Sequence, residues 1–354
     1  MSHPIHSPAQ SAPKNANSAE QRRLQMADIA RLAGVSVSTV SRALNGSSLV
    51  NAETRERVAE LARSLNYSIN LSAQNLRLQK NRTVAVVLPF EAESRQHISD
   101  PFFLALIGSI ADALTDQGYD MLLSRVDAEH LDLAAQFYDS GKAIGVLMIG
   151  QWRHHDQLNA LAARQLPLVV WGGALPRQLY CSIGGDNIAG GQMATAHLLA
   201  RGSRRIAFLG DAQLPEVWLR REGYSQALRQ AGLQADPALE LALPFEPAAA
   251  RAAIARWLPA APGFDAIFAC SDLLALQAIQ LLRARGQRVP EDIAVVGFDD
   301  MPLAGYCDPP LTTVHQPVAE AGAELVASLM AQLNGEKAVP RTLDVQLMVR
   351  GSAP

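Results

Sequence analysis

Positions 33 to 46 read AGVSVSTVSRALNG, a stretch whose hydroxyls and single cation are spaced for contact with another molecule. Ser36, Val37, Ser38, Thr39, Ser41 and Arg42 fall within seven residues, just after Gly34. Val, Ser and Thr are indifferent helix formers, yet both flanks carry helical patterning. The preceding MADIARLA puts Ile29, Ala30 and Ala33 on one face of a short helix, and Gly34 supplies a turn at positive φ. Ser36 is then the N-cap of a second helix, Val37 to Leu44, in which Val40 with Ala43 or Leu44 faces the first. Asn51 caps a third, with Val58, Leu61, Ala62 and Leu65 at helical spacing. Two short helices joined by a Gly-containing turn, with small polar residues opening the second, make a helix-turn-helix pattern. Short hydroxyl and apolar side chains there let the backbone approach base edges and phosphates in a major groove. The plain alternative is a hydroxyl-rich helix start in an unrelated bundle.

Charge separates these readings. Positions 21 to 82 hold ten Lys or Arg against four Asp or Glu, an excess of six positive charges, whereas the whole chain of 354 residues carries −3. A basic head on an acidic body suggests that the head alone meets a polyanion. Residues 1–23 are polar and rich in Pro, Ser, Ala and Asn, and read as a disordered tail without the apolar stretch of a secretory signal, as expected of a cytoplasmic protein. No apolar run is long enough for a membrane span. Cys181, Cys270 and Cys307 are far apart and read as buried thiols in a reducing compartment.

From residue 82 onward, apolar strands such as TVAVVLPF and AIGVLMIG alternate with amphipathic helices, and the cycle restarts after Tyr180. Such alternation calls for parallel sheets covered by helices on both faces. Two comparable cycles predict two doubly wound lobes with a cleft between them, ligands binding beyond the carboxyl ends of the strands. The expected organisation is a helix-turn-helix domain over 24–70, a marginal helix and linker over 71–81, and a two-lobed core over 82–354. The fold class is thus an all-α helix-turn-helix head on an α/β core of two doubly wound lobes, and that core is similar in architecture to periplasmic binding proteins (periplasmic-binding-protein-like).

Three other motifs suggest chemistry. Asp299-Asp300 resembles a catalytic carboxylate pair, but neighbours at a strand end point opposite ways, which argues against an enzyme. GGDNIAGG fits neither of the usual glycine-rich phosphate patterns, and a helix cap with close packing explains it better. His154, His155 and Asp156 have no further metal ligand at suitable spacing and read as a surface turn, so neither metal nor cofactor is expected.

The segment DIARLAGVSVSTVSRALNGSSLVNAETRERVAELARSLNYSIN resembles the DNA-binding head of the lactose-repressor/galactose-repressor (LacI/GalR) transcription factors. GGDNIAGGQMATAHLLARGSRRIAFLG, ACSDLLALQAIQLLRARGQRVPEDIAVVGFDD and PPLTTVHQP resemble that family's sugar-sensing core. The resemblance implies that Val37, Ser38 and Arg42 read bases, while Ser36, Thr39, Ser41, Asn45 and Tyr67 contact mainly the backbone. Asn70, Ala73 and Leu76 belong to the hinge, Leu76 being wedged into the minor groove. Ile69 stands where the family usually has Pro. In the core the resemblance implies an effector site of Arg220, Asp299, Ser271 and Phe245, joined by Phe102, Phe103 and Trp171. Arg, Asp and several rings around a cleft suit a carbohydrate, whose hydroxyls need polar partners and whose apolar face needs a ring. Gly172 stands where some members carry a polar ligand residue.

The expected molecule is a homodimeric regulator, most simply a repressor of carbohydrate utilisation genes. It binds a pseudo-palindromic double-stranded operator and is controlled by a sugar or glucoside. A sugar-binding sensor acting without DNA is the alternative.

Overall fold

The computed structural model describes residues 26–44, 47, 49–65, 81–91, 98–244 and 246–354, which fall into two units divided at residues 79 and 80. The expected tail, the expected hinge helix with all of its linker but Asn81, and Ile69 before them lie outside the described residues.

The head contains α1 (Met26–Ala33), α2 (Val37–Leu44) and α3 (Ala52–Ser64). Gly34 has φ 64°, with nothing within 4 Å of a Cβ placed there, so the backbone turn itself selects glycine. Asn51 caps α3, its Oδ1 accepting from Thr54 N at 2.8 Å. Ile29, Val40 and Val58, one from each helix, are fully buried and form the centre of a small core. Each contributes about 2 kcal/mol by leaving water.

The core opens with β1 (Thr83–Phe90), α4 (Pro101–Asp116), β2 (Asp120–Asp127), α5 (Ala135–Asp139), β3 (Val146–Ile149), α6 (His155–Ala163), β4 (Leu168–Trp171) and β5 (Cys181–Gly185). It continues through α7 (Asn187–Ala200), β6 (Ile206–Leu209), α8 (Pro215–Gln230), β7 (Glu240–Leu241), α9 (Pro247–Trp257), β8 (Ala266–Ala269) and α10 (Asp272–Ala284). β9 (Ala294–Asp299), α11 (Pro302–Tyr306), β10 (Thr312–His315), α12 (Val318–Leu333), β11 (Arg341–Leu343) and β12 (Gln346–Met348) complete it. Two six-stranded sheets result, ordered β11-β5-β4-β3-β1-β2 and β12-β10-β9-β8-β6-β7. All pairs are parallel except β10 with β12. The central strands β1, β3, β4, β8 and β9 are buried almost throughout, as parallel strands covered on both faces must be.

The lobes are not the two successive halves that the restart after Tyr180 suggests. β5 closes onto β4 in the first sheet, and the chain later returns so that β11 pairs with β5. α12 buries Ala321, Leu325 and Leu329 in the same cluster as Leu106 and Ile110 of α4. The chain therefore crosses between lobes three times, around residues 186, 317 and 344. Alternating periodicity reports which face of an element is apolar, not which sheet receives it.

GGDNIAGG is a cap and a packing site. Asp186 Oδ1 accepts from Ala189 N at 2.9 Å, while Gly191 of α7 lies against the backbone of α8. A Cβ on Gly191 would sit 2.1 Å from the Arg220 carbonyl oxygen, and one on Gly223 2.1 Å from that of Ile188. Gly191→Ala is expected to force the two helices apart and to lower core stability by about 3 kcal/mol, read as a fall in the denaturation midpoint. Among the described residues no helix is long and apolar enough to cross a membrane.

Candidate functional sites

In the head, the Ser36 side chain caps α2 by accepting from Thr39 N at 3.1 Å, and its hydroxyl lies 2.8 Å from those of both Ser38 and Thr39. Burial divides α2 by role: Val40 and Ala43 are inside, Thr39 and Ser41 half-buried, and Ser36, Val37, Ser38 and Arg42 exposed. Ser38 and Arg42, four apart, share one exposed face. The first turn carries no acidic residue, which leaves the positive end of the helix dipole open to phosphate. Asn45, Tyr67, Asn70, Ala73 and Leu76 lie outside the described residues.

In the core, one cavity between the lobes is lined by Phe102, Phe103, Trp171, Arg220, Ser271 and Asp299, six of the seven expected effector residues. The seventh, Phe245, lies outside the described residues. Trp171 ends β4 and Asp299 ends β9, while Ser271 follows β8 and caps α10, so the carboxyl ends of strands from both sheets supply the site. The Phe102 ring centroid stands 5.9 Å from that of Trp171 and 6.0 Å from that of Phe103, which builds an apolar wall. Arg220 is buried and held on several sides. Its Nε donates to Asn187 Oδ1 at 2.8 Å and its Nη1 to the Cys270 carbonyl at 2.5 Å. Its guanidinium lies 3.7 Å from the Phe298 ring centroid, and Nη1 is 3.7 Å from Asp299 Oδ1.

Asp299 is buried at φ 111° and accepts from Gln316 Nε2 at 2.8 Å. Burial pushes its carboxyl well above the usual range, with Arg220 opposing the shift. Asp300, at φ 54°, turns away to Arg350 and His315, so the two carboxylates face different surroundings. Both Asn187 and Gln316 sit at lobe crossings, and each is bonded directly to a side chain of the cavity.

Sequence reasoning missed Asp100, Trp152 and Glu216, all of which line the cavity. Asp100 caps α4, and its place just before Pro101 was a visible cue. Glu216 lies one helical turn before Arg220, a spacing that also marked it. Trp152 gives no such signal: it follows β3 at φ 52° and buries its ring with Leu214 and Val217 of the opposite lobe. Arg153 spans the same gap, contacting Glu91 Oε1 at 3.0 Å and Asp211 Oδ2 at 2.5 Å. Gln151 N donates to Glu216 Oε1 at 3.2 Å. The Gln151 side chain fills the space beside Gly172, where a Cβ would lie 2.5 Å from its Cδ.

Two smaller expectations need correction. His155 is not part of a surface turn: it opens α6 half-buried, with Nδ1 2.9 Å from Tyr180 Oη and Nε2 3.1 Å from the Pro176 carbonyl. Cys181 and Cys270 are buried, but Cys307 is only half-buried, because α11 lies near the surface.

Behind Asp299, the buried Asp272 accepts from Met301 N and Thr313 Oγ1, and burial pushes its carboxyl up to about 7. Asp300 adds to that rise, whereas Thr313, Met301 and Arg350 oppose it. The unfolded carboxyl releases its proton near pH 4, so core stability is expected to fall as pH rises from about 4 to about 7. The Asp272 contribution is on the order of 4 kcal/mol. Asp272→Asn should give a shallower slope in urea denaturation midpoints measured across that window.

Residues 25–70 match the model of bacterial regulatory proteins of the lacI family, and residues 195–353 match that of the periplasmic binding protein-like domain. The HTH-type transcriptional regulator CelR of Thermobifida fusca is 36% identical over 341 residues, 94% of this chain and 99% of that protein. The chain belongs to the LacI family. The HTH-type transcriptional repressor CytR of Escherichia coli K12 is another LacI-family relative, 32% identical over 92% of this chain and 95% of its own length. Among solved structures, a CelR–cellobiose complex superposes with a TM-score of 0.70 at 33% identity, covering 93% of this chain and 100% of that one. The lac repressor dimer bound to operator and the anti-inducer ONPF superposes with a TM-score of 0.80 at 25% identity, covering 94% and 99%.

Proposed function

We propose that this LacI-family chain is a sequence-specific transcriptional repressor of carbohydrate utilisation genes, acting as a homodimer on a pseudo-palindromic operator. A sugar or glucoside bound between the core lobes controls its grip. The observation that carries the reading is the Arg220–Asp299 pair in a ring-walled cavity, with both members bonded to residues at the lobe crossings, Asn187 and Gln316. A hydroxylated ligand that engages Arg220 and Asp299 competes with those bonds and so changes the preferred angle between lobes. Coupling is reciprocal: whatever factor the ligand applies to operator affinity, the operator applies to ligand affinity. Binding of cellobiose by a relative similar along nearly its whole length supports the ligand class, and the exposed Val37, Ser38 and Arg42 support the DNA contact.

Gel shifts of the full chain on DNA upstream of its own gene and neighbouring genes, with and without a panel of sugars, test the proposal. A specific shift altered by a sugar is the expected result. Sugar binding with no specific shift in any ligand state would assign the chain to the alternative, a sensor that does not act through DNA.

A further inference from the structure

Three consecutive residues after β3 each take hold of the opposite lobe. The Gln151 backbone N donates to Glu216 Oε1 at 3.2 Å, the Trp152 ring packs with Leu214 and Val217, and Arg153 Nη2 reaches Asp211 Oδ2 at 2.5 Å. These partners lie between Asp211 and Val217, where the chain leaves β6 and enters α8. The hold on the first lobe is as specific. Gln151 Nε2 donates to the Gly173 carbonyl and to Tyr180 Oη, both at 2.8 Å, its Oε1 accepts from Gly173 N at 3.0 Å, and Arg153 Nη1 contacts Glu91 Oε1 at 3.0 Å. Trp152 adopts φ 52°, a left-handed backbone that a bulky residue keeps only where its surroundings fix it. The segment is not one of the three chain crossings, so it adds a non-covalent join between the lobes, one that can open while both sheets stay folded.

This join has a dry part and a wet part. Trp152 is 5% exposed, whereas the side chains of Arg153, Glu91 and Asp211 keep 37%, 23% and 17% of their surface in water. One guanidinium is shared by two carboxylates, Glu91 after β1 and Asp211 after β6, one from each lobe. Without that cation the same two carboxylates repel across the gap, so the sign of the force between the lobes at this rim depends on Arg153. Solvent reaches all three groups, and dissolved salt screens whichever force acts there.

We propose that Gln151, Trp152 and Arg153 form a clasp that holds the core lobes at one angle in the absence of effector, with Arg153 as its ionic lock and Glu91 as the residue that positions Arg153, and that release of this lock controls operator binding separately from the Arg220–Asp299 pair. The operator part rests on the regulator reading above; the clasp itself does not.

Hydrogen exchange on the ligand-free full chain tests the clasp, because the Gln151 amide donates to Glu216 only while the lobes are joined. Arg153→Met should quicken exchange of that amide about tenfold or more, with β8 and α12 unchanged. Adding Asp211→Asn to Arg153→Met should slow it again by about threefold, since asparagine still accepts from Gln213 N and only the repulsion with Glu91 is removed. Salt should quicken exchange in the native chain and slow it in Arg153→Met. If Arg153→Met loosens the whole core, Arg153→Lys replaces it: lysine keeps the charge but lacks the fork that joins two acids, and the Gln151 amide alone should quicken about threefold. An amide unmoved by these substitutions, or salt acting in the same direction on the native chain and on a folded Arg153→Met, refutes the lock. Gel shifts without sugar test the control: Arg153→Met should change affinity for the shifted fragment by about threefold or more. A freed amide with unchanged operator affinity would refute that control. If the native chain shifts no DNA specifically, the regulator reading falls and the operator part with it, while the exchange result still decides the clasp.

Discussion

Replacing Arg220 by leucine is expected to abolish the response to sugar and to destabilise the core by about 3 kcal/mol or more. The guanidinium is buried, bonded to Asn187 and the Cys270 carbonyl, and 3.7 Å from Asp299. Removing it leaves the Asp299 carboxylate without its opposing charge in a site that already pushes its proton affinity up. The carboxyl then keeps its proton, and both the ligand's acceptor and its cation are lost. Asp299→Asn separates folding from binding. Asparagine tolerates the left-handed backbone at this position and still accepts from Gln316, so the fold should persist while sugar affinity drops by roughly ten- to a hundredfold through loss of a charge-assisted bond. Calorimetry for affinity and thermal melts for stability measure the two effects. Normal sugar binding by Asp299→Asn would place the effector elsewhere.

Arg42→Ala is expected to weaken operator binding roughly ten- to a hundredfold and to relax base preference at one position of each half-site, with melting and sugar affinity unchanged. Arg42 is exposed, lies one turn after Ser38, and is the only cation on α2. A bidentate arginine contact to a base edge is worth about 1–3 kcal/mol of discrimination, and its neighbours Val37 and Ser38 are too short to replace it. Gel shifts on an operator series with single-base changes read the effect. Equal loss on all sequences would make Arg42 a phosphate contact instead, with a reduced dependence on salt.

The head was legible because its determinants are local. The turn at Gly34, the caps at Ser36 and Asn51, and the inward positions of Ile29, Val40 and Val58 each depend on residues three or four apart, the interval that helical periodicity reports. In the core the strands were equally visible, yet their assignment to sheets was not. β5, α12 and β11 join the first lobe because their apolar faces meet Leu106, Ile110 and Trp171 there, a choice between two similar surfaces that periodicity does not encode.

The candidate effector site divides in the same way. Arg220, Asp299, Ser271, Phe102, Phe103 and Trp171 were reached through a family resemblance, and their meeting in one cavity required strand ends from both sheets. Glu216 and Asp100 carried faint local cues. Trp152 carried none: a tryptophan after a strand looks the same whether it faces solvent or a cavity. The sequence by itself determined a basic helix-turn-helix head, an α/β core and the residue types of the proposed sugar site. Only the tertiary structure decided which lobe each late element joins and that Arg153 and Trp152 bridge the lobes. Burial and pairing are properties of what the chain brings near from far away, and no short stretch of sequence carries that information.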